Sequence, residues 1–221
     1  MNKFSITLEQ VETAYVDMQL LHGSSETVEI GVISKLFGFE KAVWLSRFVE
    51  GYNKELITLA IAYAKRLLPL IADQRSINAL DVAERYVNGN ATKAELDAAR
   101  EAAKEAANDT QKALEKAERT TWLKKVKARK EYKNAPLSSS IVDKAIAKVE
   151  KAKEEEKAKA IANEVTQTAW ILTNYITDDP PASAWRMSWQ VLNTIEKAAG
   201  DMEAEIKAQE AMFLEMINEP T

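Results

Sequence analysis

At 221 residues the chain is long enough for one large domain or two small ones. Hydrophobic residues make up 46% and charged residues 29%, with only 6 glycines and 5 prolines, a composition that favours long helices with few breaks. A net charge of −4 and a pI near 5.4 argue against a whole-chain nucleic-acid binder and are far too mild for a protein that imitates DNA. The absence of cysteine removes disulfide frameworks, thiolate metal sites and thiol nucleophiles together. The start, MNKFSITLEQ, turns polar before an apolar region forms, and the most apolar run, residues 56–72, is interrupted by Lys65, Arg66 and Pro69. A soluble, cytoplasmic protein without a membrane span is the expectation.

Thr7-Leu-Glu-Gln10 has the form of a capping box and predicts a helix carrying Leu8, Val11, Tyr15, Met18 and Leu21 that stops near Gly23. A short helix is expected over 26–37, ended by Gly38. Another is expected over 40–50, with Val43, Trp44, Leu45, Phe48 and Val49 as a broad apolar face and Gly51 as its stop. Asn53 then caps a predicted helix running to about Ile71, with Leu56, Leu59, Ala60, Tyr63, Leu67 and Leu68 inward. Pro69 disturbs its last turn by removing a donor. Ile77, Leu80, Ala83, Glu84 and Val87 predict a helix closed by Gly89 in the left-handed position. Thr92-Lys-Ala-Glu95 is a second capping box and opens a long helix, whose alanines at 98, 99, 102, 103, 106 and 107 let a neighbouring helix approach closely.

That helix has no glycine or proline before Tyr132, and KNAPLSSS is the clearest loop of the second half. A second long helix is expected over 141–176, with Val142, Ala145, Ile146, Val149 and Ala152 on one side and Ile161, Val165, Ala169, Leu172 and Ile176 later. Two long helices joined by a short loop pack antiparallel. Asp179 as N-cap and Pro180 at the first helical position start a final helix that reaches Asn218 and carries Trp185, Trp189, Leu192, Ile195, Met212, Phe213 and Met216. No strand pattern is evident. The expected fold is all-α: an N-terminal helical bundle over 1–91, then a long antiparallel helical hairpin with a C-terminal packing helix over 92–221.

Candidate chemistry is sparse. His22 is the single histidine, and no triad or histidine metal site can be assembled around it. Glu154, Glu155 and Glu156, and the set Glu203, Glu205 and Glu210, read as solvated faces interleaved with lysine. No phosphate loop, zinc-protease, calcium-loop or di-metal motif is present, so neither an enzyme nor a bound cofactor or metal is expected. The most distinctive charge feature is residues 119–133, where Arg119, Lys124, Lys125, Lys127, Arg129, Lys130 and Lys133 oppose a single acid, Glu131. With Trp122 and Tyr132 flanking it, this segment can serve as a patch for an acidic protein or, second, for nucleic-acid phosphates. The plainer reading is a solvated face whose positive end meets its own helix dipole, or is neutralised by the acidic C-terminal helix. Trp170, Trp185 and Trp189 raise a similar choice between a binding cluster and the core, with the core expected for at least two.

The pattern through Asp73, Arg75, Ala79, Ala83, Arg85, Tyr86, Gly89, Ala91, Thr92, Glu95, Leu96, Ala98 and Ala99 resembles an alanine-rich helical family of immunity proteins found in bacteria and phages. Trp44-Leu45, Arg47-Phe48 and Leu67-Leu68-Pro69 fit it as well, so the likeness covers roughly residues 7–118. The resemblance implies a helical bundle that neutralises a toxin by binding it. The corresponding expectation is a non-enzymatic inhibitor, immunity-type or phage-encoded and anti-defence, that occludes a protein partner's surface. Trp122, Lys124, Lys125, Lys127, Arg129, Lys130 and Tyr132 are its candidate contacts. The alternative is an oligomeric structural or assembly protein that uses the long hairpin.

Overall fold

The computed structural model describes residues 5–7, 27–49, 51–134, 140–179, 182–198 and 200–218. The helix expected after Thr7, together with His22, lies outside them. Two strands, β1 (Ser5–Thr7) and β2 (Thr27–Glu29), pair antiparallel with Ile6 opposite Val28. They correct the expectation of no strand, and they move the start of the next helix from residue 26 to Ile30. The helices follow in order: α1 (Ile30–Phe37), α2 (Phe39–Leu45), α3 (Asn53–Lys65), α4 (Gln74–Val87), α5 (Lys93–Asn134), α6 (Ser140–Asp178), α7 (Ser183–Lys197) and α8 (Met202–Asn218). Apart from the ribbon the fold is all-α.

Local chemistry accounts for most boundaries. The Asp73 carboxylate accepts the Arg75 N–H at 2.9 Å and caps α4, and the hydrogen bonds from Arg75 hold this carboxyl below the usual range. At the other end Gly89 adopts φ 75°, so that the Asn90 N–H reaches the Arg85 carbonyl at 2.7 Å and the Gly89 N–H reaches Tyr86 at 3.0 Å. These are the paired closing bonds of a left-handed helix stop. Thr92 and Glu95 cap α5 reciprocally: the Glu95 carboxylate accepts the Thr92 N–H at 2.7 Å and the Thr92 hydroxyl accepts the Glu95 N–H at 3.2 Å. Those bonds from Thr92 lower the Glu95 pKa.

Three expected boundaries shift. α3 ends at Lys65 rather than Ile71, because Leu68–Leu70 tighten into a 3-10 turn around Pro69; Leu68 is thereby turned outward. The α2 segment ends at Leu45 and passes into a 3-10 turn over Ser46–Phe48. The expected single C-terminal helix is two. α7 begins at Ser183 without a side-chain cap from Asp179, and it stops where the Gly200 N–H meets the Ile195 carbonyl at 2.9 Å. A Cβ at Gly200 would lie 2.6 Å from Ile195 Cγ2, so a larger residue there would force Ile195 to shift. Asp201 then caps α8 through the Ala204 N–H at 3.0 Å.

One hydrophobic core runs from Ile30 and Ile33 through Leu56, Leu67, Leu80 and Leu96 to Leu172, Val191 and Phe213. Side chains from both sides of residue 91 share it. Within it the buried Tyr63 hydroxyl donates to the Gln209 carbonyl at 3.1 Å, and burial pushes its pKa well up. Glu205, expected on a solvated face, is only 6% exposed: it meets Arg66 Nε at 2.6 Å and accepts from Gln209 Nε2 at 3.0 Å. A carboxylate can be buried there because a cation and an amide fill its acceptor sites.

Candidate functional site

The long helices α5 and α6, of 42 and 39 residues, span about 60 Å each at 1.5 Å per residue. Their body ends are tied by Arg100, whose Nη2 donates to the Thr173 carbonyl at 2.8 Å and the Thr177 hydroxyl at 2.7 Å. Further out, Thr110 approaches Asn163 at 3.2 Å and Thr166 at 2.7 Å, and Asn163 Nδ2 donates to Gln111 at 2.9 Å. Beyond these, the Thr121 hydroxyl donates to the Ala152 carbonyl at 3.1 Å. The pairings 110 with 163 and 121 with 152 keep one antiparallel register, and that register sets buried Ala128 opposite buried Ala145.

One set of buried and half-buried positions on each helix of this pair recurs in steps of three and four. On α5 they are Ala103, Ala107, Thr110, Leu114, Ala117, Thr121, Lys124 and Ala128. On α6 they are Val142, Ala145, Val149, Ala152 and Glu156, resuming at Asn163, Thr166, Trp170 and Thr173. This is the spacing of a two-stranded antiparallel coiled coil. Its seam is mostly small or polar, so close approach and a fixed register come at the expense of buried apolar area. The body core includes Ala103 and Val165 but none of the buried seam residues farther out: Thr121, Ala128, Val142, Ala145 and Ala152. The outer half of the hairpin therefore forms an arm of low local stability. By hydrogen exchange, amides in 111–130 should lose protection well before those of α3, whose Leu56, Leu59, Ala60 and Tyr63 are buried. Equal protection in both segments would refute this.

The basic segment lies on that arm. Trp122 is 61% exposed and Leu123 53% exposed, and Lys125, Lys127, Arg129 and Lys130 are open to solvent while Lys124 is half-buried at the seam. Tyr132 belongs to α5, but its side chain lies outside the described residues. Helical spacing sorts these residues into two stripes, Trp122–Lys125–Arg129 and Leu123–Lys127–Lys130, each headed by an exposed apolar side chain. The first borders a groove of about 230 Å³ shared by Lys125, Ala128, Arg129, Ile146, Val149 and Glu150.

The two compensations expected within the fold do not reach most of the segment among the described residues. The helix dipole acts over the last turn, and Lys124, Lys125, Lys127 and Arg129 lie before it. In the C-terminal helix, Glu205 pairs with Arg66 and Glu203 with Lys207. No described ion pair involves Lys124, Lys125, Lys127, Arg129 or Lys130. Charge is also strongly segregated. Of the 30 lysines and arginines and the 34 acids, residues 119–153 hold eleven and three, which leaves nineteen against thirty-one elsewhere, or net +8 against −12.

A second polar-aromatic cluster lies between α6 and α7, where Ile171, Tyr175, Trp185, Arg186, Trp189 and Gln190 line a cavity of about 510 Å³. The Arg186 guanidinium lies 4.5 Å from the Tyr175 ring centroid and 5.9 Å from that of Trp185, and its Nη1 donates to the Tyr175 hydroxyl at 2.7 Å. Its Nε is buried without an acceptor, which costs about 1–3 kcal/mol. Trp170 and Trp185 are half-buried against the core, as expected of two of the three tryptophans, whereas Trp189 is 61% exposed. Sequence spacing alone did not reveal this cluster, because the Tyr175–Arg186 contact crosses from one helix to the next.

Among the described residues no helix is long and apolar enough to cross a membrane. Comparisons with protein-family models, curated proteins and solved structures found no match to this chain.

Proposed function

We propose that the protein is a non-enzymatic, cytoplasmic inhibitor that presses its helical arm onto an acidic protein and occludes that partner's working surface. The observation that carries this reading is the arm's stripe of solvent-facing cations, without an acid partner among the described residues, headed by exposed Trp122 and Leu123. Aromatic anchors within a basic field supply both contact energy and steering toward an acidic surface. The likeness of residues 7–118 to immunity proteins supports the same class, as an immunity-type or phage-encoded anti-defence protein.

Affinity capture from a host lysate tests it, with the K124E/K125E/K127E/R129E variant beside the wild type. A single acidic protein held by the wild type, lost by the variant and released by added salt is the expected result. Equal recovery by both forms would exclude the arm as the contact, and loss of the catch after nuclease treatment would point to nucleic acid instead.

The segregation of charge favours one other reading, a homo-oligomeric assembly in which the arm of one copy meets the acidic body of another. It predicts sedimentation as an oligomer at low salt and as a monomer at high salt. A monomer at both would remove it.

A further inference from the structure

The cavity between α6 and α7 is remote in sequence from the basic arm segment and is not used by the proposed inhibitor contact. We propose that it is a binding site for a planar aromatic oxyanion, with the acidic group on Arg186 and the ring against Trp185 and Trp189. Three observations converge on this chemistry. Among the described residues Arg186 is the only charged one lining the cavity, so the site has a single positive focus. Only Nη1 of its guanidinium has a described hydrogen-bond partner, and Nε is buried without an acceptor. Arginine favours carboxylate and phosphate groups, to which its N–H donors give charge-assisted hydrogen bonds. The rest of the wall is largely aromatic, and Trp189 offers an indole that the core does not use. A flat ring stacks on such a surface with little loss of side-chain freedom. Tyr175 is a positioning residue: its ring and hydroxyl hold the guanidinium in place at 4.5 Å and 2.7 Å.

Both a nucleoside monophosphate and an aromatic carboxylate have this chemistry. Calorimetric titration of the full chain with AMP, adenosine, indoleacetate and indoleacetamide separates the two sources and isolates the charge. We expect at least one acid to bind saturably and its neutral counterpart to bind about tenfold more weakly or worse, the effect of one charge-assisted hydrogen-bond pair. AMP alone would mark a nucleotide site, and indoleacetate alone a carboxylate site. Arg186→Gln should abolish the discrimination between acid and neutral form, and Arg186→Lys should restore only part of it. Trp189→Ala should weaken both members of a pair in parallel. Unchanged circular dichroism and melting of each variant separate loss of the site from loss of the fold. Saturation by neither acid, equal binding of acid and neutral forms, or discrimination that survives Arg186→Gln would each overturn the proposal.

Discussion

Phe213→Ala should destabilise the protein by about 3–5 kcal/mol, the largest effect expected of any single truncation considered. Phe213 is fully buried and meets Phe39 edge to face, with centroids 5.9 Å apart at 68°. Such a pair adds to the area term, and the cavity left behind would be lined by residues of several helices that cannot all relax together. The effect should also be uneven. The buried residues of α8 are Glu205, Gln209 and Phe213, so Phe213 is the helix's one large, fully buried apolar anchor. In the variant α8 should lose exchange protection before α4 does. Phe213→Leu, which retains most of the volume, should cost much less. Chemical denaturation of the three proteins checks this, and a loss below about 1 kcal/mol for the alanine variant would show that α8 is held mainly by other contacts.

Where a boundary depends on residues close in sequence, it was legible. Asp73, Gly89, Thr92 and Glu95 mark their helix ends by hydrogen bonds that close within two to five residues. The long hairpin was legible for the complementary reason, since α5 and α6 contain no glycine or proline to interrupt them. Gly200-Asp201 is a local signal of the same kind, a stop followed by a cap, and it corrects the single C-terminal helix to two. The β1–β2 ribbon is different. It joins residues twenty or more apart through strands of three residues each, too short to show an alternating pattern. Among candidate contacts, the exposure of the basic stripe follows from helical spacing together with the register of the facing helix. The Arg186 cluster needed two helices to be placed before Tyr175 and Trp189 could be seen around one guanidinium.

Glu205 is the clearest case of burial that sequence spacing conceals, because its cation, Arg66, lies 139 residues away. Within α8 it has the same lysine-interleaved surroundings as exposed Glu203. In the fold its side chain is 7% exposed, and it sits in a relay: Arg66 Nε at 2.6 Å, then Gln209 Nε2 at 3.0 Å, whose Oε1 accepts the Ser188 hydroxyl at 2.6 Å. The hydrogen bond to Glu205 raises the Arg66 pKa, in keeping with a guanidinium that is charged throughout the working pH range. Arg66→Met should therefore cost about 3 kcal/mol, mostly as the penalty of a carboxylate left buried without its counterion. Because the Arg66 side chain is 31% exposed, this lies at the lower end of the range for a fully buried pair. The double variant Arg66→Met with Glu205→Leu should recover most of the loss, since two apolar groups of similar size satisfy each other where one stranded charge cannot. Equilibrium denaturation of the two single variants and the double variant closes the cycle. If the double variant instead lost the sum of the single losses, the pair would be contributing through packing rather than through charge. The position of Glu205 beside Gln209, which Ser188 and Tyr63 also bond, would then be set by the shape of the α3–α7–α8 junction rather than by the ion pair.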